Sequence, residues 1–354
     1  MNIYILPAGR DQFPADYFID GKISFRPYDG GISYAPFWNK FYELCAQKGI
    51  QVKLYSEWDK SKRQNDDILI VLNHPEENFL WLIYNCLTYL LNRKNFFLER
   101  RNFLFKNRQF FRKKILIQLE PPAIAPYVYS HLDKIKNSGF YDKFFITVRV
   151  KNKGWEYLNY FEYRTENIIS QYFNSPKTKY ITMINSNVRP HSLSSELYGE
   201  RLRAIKFFSQ FDDFDLYGFY WNSLIRHPLY IFYGKYIKRS WRGAVPDKLK
   251  TLSEYKFAIL FENCSYPGWI SEKIFDCLAV GTIPVYLGAP DINNLVPAKC
   301  IVDFKEFMDY PRLNKFLRNI SERELNNRRK HIREFLSLSP DSSKIKNFVK
   351  KVTD

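Results

Sequence analysis

The feature that most limits how this chain can fold is a train of short apolar runs separated by stretches with helical spacing. Residues 67–72 read Asp-Ile-Leu-Ile-Val-Leu and residues 114–119 read Lys-Ile-Leu-Ile-Gln-Leu. Similar runs lie at 2–6, 51–55 and 144–150, and Phe37, Phe41 and Leu44 fall on one face of a predicted helix over 36–48. Strands that alternate with helices in this way predict an α/β fold with a parallel sheet.

The pattern restarts after Asn174-Ser175-Pro176-Lys177-Thr178-Lys179, a polar stretch with a helix breaker. Strands are predicted at 180–184, 214–217, 257–261 and 283–287. Helices are predicted at 195–211, with Leu202, Ile205 and Phe208 on one face, and at 271–280, closed by Gly281 as a C-cap. A length of 354 residues also suits two domains. We therefore divide the chain into an N-terminal acceptor-binding domain (1–174), a C-terminal donor-binding domain (180–335) and a basic C-terminal tail (336–354). Tandem α/β domains predict a ligand between them, at the carboxyl ends of their strands.

Membrane spans and cysteine frameworks are poorly supported. The most apolar helical stretch, 79–91, is too short to span and is interrupted by Asn85 and Thr88; a buried helix is expected there. The first residues read as a strand, without the pattern of a signal peptide. Cysteines at 45, 86, 264, 277 and 300 are odd in number and show no C-x-x-C spacing, so neither a disulfide framework nor a zinc site is indicated. A reducing, cytoplasmic setting is expected.

A net charge of +17 favours anionic partners: nucleic acid, acidic lipid or phosphate-bearing substrates. Much of it sits in 93–114, where nine Lys and Arg face the single acid Glu99 and six phenylalanines are interleaved. Three readings are open: a helix whose phenylalanines pack inward, docking on anionic lipid at the cytoplasmic membrane face, or contact with an acidic glycan. The first is the commonest outcome for such a run.

Residues 255–275 carry the densest chemistry: Tyr-Lys-Phe-Ala-Ile-Leu-Phe-Glu-Asn-Cys-Ser-Tyr-Pro-Gly-Trp-Ile-Ser-Glu-Lys-Ile-Phe. This is a strand, a polar strand end, a Pro-Gly turn and a helix start. Free N–H groups and a partial positive charge at a helix start suit a phosphate. Lys273 in the first turn opposes the helix dipole, as a cation does where an anion is bound nearby. Glu272 can accept hydrogen bonds from ribose or sugar hydroxyls. An ordinary surface helix start with a Glu-Lys pair explains the same residues equally well.

The segment resembles the donor-binding signature of the family 10 α-1,3/1,4-fucosyltransferases, bacterial type. The matching elements are Tyr255-Lys256-Phe257, Phe261-Glu262-Asn263, Trp269-Ile270-Ser271-Glu272-Lys273 and Pro284-Val285-Tyr286-Leu287-Gly288, in that order. Weaker matches are Ile184-Asn185-Ser186-Asn187, Arg201 at a helix start, Asp215-Leu216-Tyr217-Gly218, and Ile117-Gln118-Leu119-Glu120-Pro121-Pro122. The first hundred residues show no such resemblance.

The resemblance implies a GT-B architecture, two Rossmann-like domains facing across a cleft, and inverting transfer of fucose from GDP-β-L-fucose to a glycan or lipid-linked glycan. Residue by residue, it implies that Arg201 and Lys273 hold the diphosphate, that Asn187, Asn263, Trp269 and Glu272 bind the donor, and that Glu120 is the general base. Inversion needs a carboxylate on the acceptor side; the plain alternative for Glu120 is a solvated loop acid. No cofactor or obligatory metal is implied, because Arg, Lys and a helix dipole neutralise the leaving diphosphate. Where the family usually has Tyr, this chain has Trp269, whose indole offers only an N–H, so another sugar on a GDP carrier stays open.

Other signals are weaker. Asp213-Phe214-Asp215 has the D-x-D form of a metal site, but Asp215 opens a strand and a turn explains the pair. His74, after the 67–72 strand, is an acceptor-binding candidate, against the commoner structural role of a lone histidine; His191, His227 and His331 suggest nothing specific. The rival readings are a GT-B transferase using another nucleotide sugar and a basic nucleic-acid-binding protein. The latter lacks any recognised RNA-binding signature, so nucleic acid is not an expected partner.

Overall fold

Every residue of the strands Asn2–Leu6 and Ile68–Leu72 is buried, as expected of strands covered on both faces. They lie in a computed structural model that describes residues 1–7, 18–19, 22–23, 31, 35–75, 96–160, 168–222, 230–338 and 342–354. The helix expected over 79–91 falls outside these residues, as do Cys86, Arg93, Lys94 and His227. The chain divides into two units.

The first unit holds a six-stranded parallel sheet in the order Gln51–Leu54, Asn2–Leu6, Ile68–Leu72, Lys113–Gln118, Lys143–Ile146, Trp155–Tyr157. The last strand is too short and mixed in pattern to be read from the sequence. Helix Ala35–Gln47 lays Phe37, Phe41 and Cys45 on one face of the sheet.

Residues 336–354 do not form the basic tail expected of them. The helix Glu322–Ser337 ends in the second unit, and Ser342–Thr353 forms a further helix that belongs to the first. Its Ile345, Phe348, Val349 and Val352 are buried in the core of that unit. The lysines that suggest a solvated tail occupy the other face of this amphipathic helix. Its last carbonyls receive cations from the sheet: Arg112 donates to Thr353 O at 2.8 Å, Lys113 to Lys351 O at 2.9 Å and Lys143 to Lys351 O at 3.2 Å. Positive charge at a helix carboxyl end is favourable, so part of the basic run has a structural use.

Elsewhere in that run, aromatic and cationic side chains pack against neighbouring rings. Helix Phe96–Asn107 sets Phe103 edge-on to Tyr55 and Trp58. Phe111 is buried against Tyr4, and Arg108 stacks over Phe140 at 3.7 Å. Among the described residues no helix is long and apolar enough to cross a membrane.

The second unit holds a five-stranded parallel sheet in the order Phe214–Tyr217, Lys179–Ile184, Tyr255–Phe261, Ile283–Leu287, Val302–Asp303. Helix Tyr198–Phe208 buries Leu202, Ile205 and Phe208, the face read from the sequence. Helix Glu272–Ala279 is short and mostly buried. Asp276, fully buried, ties it to Lys248 of helix Lys248–Ser253 at 2.6 Å. Gly281 ends it at φ +69°. Cys45, Cys264, Cys277 and Cys300 are buried thiols outside any disulfide.

Candidate functional site

In a parallel sheet all carboxyl ends lie on one edge, so the segments after Ile184, Tyr217, Phe261 and Leu287 share an edge of the second unit. Close backbone approaches build that edge. Trp221 Nε1 donates to Asn185 O at 2.6 Å. Gly218 sits at φ +130°, and a Cβ there would lie 1.9 Å from Asn185 O, so glycine is required. Asn187, 2 % exposed, uses its backbone N–H on Phe219 O at 2.9 Å and its Nδ2 on Tyr220 O at 3.1 Å.

Arg201 is also buried. Its Nε and Nη2 donate to Phe261 O at 3.0 and 2.7 Å, Nη2 reaches Asn263 Oδ1 at 3.0 Å, and its guanidinium lies over the Tyr198 ring. Burial lowers its pKa from the ordinary value, while Tyr198 and Glu262 act the other way. Two predicted donor residues, Arg201 and Asn263, are thus in direct contact, with the arginine fixing the asparagine from beneath.

Between them in sequence lies a motif residue to which the sequence assigned no role. Glu262 is fully buried directly after a strand that is apolar from Phe257 to Phe261. Its Oε1 accepts from Ser271 N at 2.9 Å and its Oε2 from Ser271 Oγ at 2.7 Å. Burial raises its pKa, opposed by the Lys273 ammonium and the Ser271 hydrogen bonds. A carboxylate placed directly after such a strand is the signal that could have found it.

The pairing closes the loop 262–271 and aims the start of helix Glu272–Ala279. Lys273 Nζ lies 3.2 Å from both Ser271 Oγ and Glu272 Oε1 and stays partly exposed. Gly288 makes room for the clasp: a Cβ there would come within 2.4 Å of Tyr286 OH and 2.6 Å of Glu262 Cγ. Gly268, at φ +77°, donates to Asp291 Oδ1 at 2.7 Å. Next to it Trp269 is 8 % exposed, and its Nε1–H is buried without a hydrogen-bond partner. Among the described residues this edge gathers a helix start, a lysine, an amide and an indole N–H, a set of donors suited to an anionic, oxygen-rich ligand.

The D-x-D pair lies elsewhere. Asp213 is held by both terminal nitrogens of Arg318, at 2.9 and 3.0 Å. Asp215 takes Arg242 Nε at 2.7 Å and Tyr255 OH at 2.6 Å. They flank the first residue of strand Phe214–Tyr217, at the amino edge of the sheet.

In the first unit, Glu120 follows the carboxyl end of Lys113–Gln118, where several side chains fix the backbone. Asn73, at φ +59°, accepts from Leu119 N at 2.6 Å and Glu120 N at 3.2 Å. Tyr129 OH donates to Glu120 O at 2.9 Å. The Glu120 side chain is partly exposed. His74 is 9 % exposed; its N–H donates to Gln118 Oε1 at 3.1 Å and its Nδ1 hydrogen-bonds Tyr141 OH at 2.9 Å. Burial, then Arg100, pushes its pKa down to about 4. The His74 backbone N–H thus holds the Gln118 side chain at the strand end that precedes Glu120, while its buried imidazole is tied to Tyr141.

Residues 174–335 match the family described as glycosyltransferase family 10 (fucosyltransferase) C-term. That stretch includes Arg201, the Glu262 clasp and Lys273. The chain is 36 % identical over 78 residues to alpha-(1,3)-fucosyltransferase B of Drosophila melanogaster, covering 22 % of this chain and 18 % of that protein. It is 37 % identical over 66 residues to alpha-(1,3)-fucosyltransferase FucT of Helicobacter pylori, covering 19 % and 14 %. The matched stretch is therefore less than a fifth of either relative's length. Among solved structures, an alpha-glucosyltransferase in complex with UDP and a 13-mer DNA containing a HMU base aligns over 100 % of this chain and 98 % of that one, with a TM-score of 0.58 and 13 % identity. That likeness is one of fold, and with it the two parallel α/β units are those of a GT-B architecture.

Proposed function

We infer the activity of a chain whose residues 174–335 belong to glycosyltransferase family 10: it moves fucose from GDP-β-L-fucose to a hydroxyl of an oligosaccharide or lipid-linked glycan, with inversion at the transferred carbon. The observation that carries this reading is the start of helix Glu272–Ala279, held by Glu262 at the carboxyl edge of the family-matched sheet with Lys273 beside it.

In this reading the helix N–H groups and Lys273 meet the diphosphate, and Arg201 adds its charge from behind Asn263. Preorganised positive groups of this kind stabilise the charge that develops on the leaving GDP. Asn187, Asn263, Trp269 and Glu272 complete the donor pocket. Glu120 takes the proton from the acceptor hydroxyl as that oxygen attacks. Its fixed backbone and partly exposed side chain suit a base that must meet an incoming substrate. No metal has a role in this scheme. Peripheral contact with anionic membrane on the cytoplasmic side is part of the proposal, supported by the net charge of +17; retention on anionic liposomes at low salt tests it.

The deciding experiment measures GDP released from GDP-fucose with an oligosaccharide acceptor. Lys273→Ala is expected to cut turnover about 10²–10³-fold and Glu120→Ala about 10²–10⁴-fold. Full turnover in both variants removes these roles. A donor panel scored by thermal shift addresses the sugar, and stabilisation by GDP-mannose or a UDP-sugar alone would overturn fucose.

A further inference from the structure

The hydroxyl of Ser271 does not do what a serine at a helix start ordinarily does. Ser271 is the N-cap of helix Glu272–Ala279, yet its side chain accepts no hydrogen bond from the helix. An N-cap serine normally accepts from the second or third helical N–H. Ser321 does so in the same unit, accepting from Glu324 N at 3.2 Å.

The cause is Glu262. Its own N–H donates to Leu287 O at 2.8 Å, which locks it to the neighbouring strand. The carboxylate then takes both the N–H and the hydroxyl proton of Ser271. A hydroxyl has one proton, and here it is committed to Glu262 Oε2. Lys273 Nζ lies on the same oxygen at 3.2 Å. Turned toward Glu262 and Lys273, that oxygen gives the first N–H groups of the helix no cap from Ser271.

We propose that Glu262 is a positioning residue that diverts the capping hydroxyl of Ser271 and so keeps the start of helix Glu272–Ala279 open to the diphosphate of the donor. This rests on the donor-site reading above. A hydroxyl that capped the helix would compete with the phosphate oxygens for the same N–H groups. Glu262 removes that competitor and, through Ser271, holds the lysine beside the opening. Gly288 belongs to the same device, because a side chain there would displace the Glu262 stem.

The test is a double-mutant cycle read by GDP affinity in calorimetry, on the full chain, with donor and acceptor KM measured alongside. Glu262→Gln accepts through one oxygen only, so one Ser271 donor loses its acceptor and the hold that turns the hydroxyl away from the helix is weakened. GDP affinity is expected to fall about tenfold, the scale of a cap interaction, with donor KM rising and acceptor KM little changed. Glu262→Gln combined with Ser271→Ala has no hydroxyl left to cap, and it should bind GDP more tightly than Glu262→Gln alone. A purely structural role gives no such rescue: a double variant as weak as or weaker than the single overturns the proposal, as does wild-type affinity in Glu262→Gln. Glu262→Asp, which withdraws the carboxylate by one methylene, replaces the glutamine in the cycle if that variant does not fold. Absence of GDP binding by the unmodified protein would instead sink the donor-site reading itself, so the two failures are distinct.

Discussion

At the scale of single residues, burial sets the charge of His74 and links it to stability. Its pKa is held at about 4 by burial and by Arg100, against about 6.5 for an unfolded histidine. Between those values the unfolded chain binds the proton more readily, so stability rises with pH across the window. The stabilisation is fully present above pH 6.5 and is lost as pH falls toward 4, by about 3 kcal/mol for a shift of this size. Urea denaturation at pH 7 and pH 4.5 should show a smaller acid loss in His74→Asn than in the wild type; equal losses would assign the acid sensitivity to other groups. The sequence placed His74 at a strand end and left its role between acceptor binding and structure, because burial by Tyr141 and Arg100 comes from segments far along the chain. Glu262 was legible as a motif letter but not as a clasp, since its partner Ser271 is brought to it only by the turn between them. Arg201 likewise reads as a phosphate ligand, and only the fold shows its guanidinium beneath Asn263.

Elements were legible where pattern alone decides them. The buried strands, the apolar face of helix Tyr198–Phe208 and the glycine that ends helix Glu272–Ala279 all follow from periodicity and backbone chemistry. What anchors an element from outside does not. Lys177 reads as a linker residue beside Pro176, yet its Nζ donates to Ser253 O at 2.8 Å and Val280 O at 2.7 Å, with Thr282 Oγ1 at 3.3 Å. It joins the carboxyl ends of helices Lys248–Ser253 and Glu272–Ala279, whose dipoles favour a cation, while burial and then Arg329 push its pKa down to about 7. Lys177→Met leaves those carbonyls without their donor and is expected to cost about 1–3 kcal/mol. Chemical denaturation of the full chain measures it. Lys177→Arg should not restore the loss, because a planar fork cannot replace a compact ammonium among three converging acceptors. Wild-type stability in Lys177→Met would show that water satisfies the helix ends equally well.

For the whole molecule, the sequence reading divides the chain near 174 and sets 336–354 apart as a tail, whereas the fold returns the last helix to the first unit. The reason that return is hidden lies in the composition of Ser342–Thr353: four lysines and two serines mask an apolar stripe of Ile345, Phe348, Val349 and Val352. Phe348 is the centre of the contact, with ring centroids 5.4 Å from Phe37, 5.7 Å from Phe41 and 5.0 Å from Phe145. It therefore links helix Ala35–Gln47, strand Lys143–Ile146 and the final helix in one core. Truncating a buried phenylalanine typically costs about 3–5 kcal/mol, a large share of the roughly 5–15 kcal/mol that holds a domain folded. Phe348→Ala is thus expected to destabilise the first unit although the residue lies after the second in sequence. Hydrogen exchange distinguishes the alternatives: strands Asn2–Leu6 and Ile68–Leu72 should lose protection while Tyr255–Phe261 keeps it. Equal loss in both sheets would mean that the units unfold as one. Loss confined to Tyr255–Phe261 would mean that the final helix stabilises the unit it follows in sequence rather than the one whose core it fills.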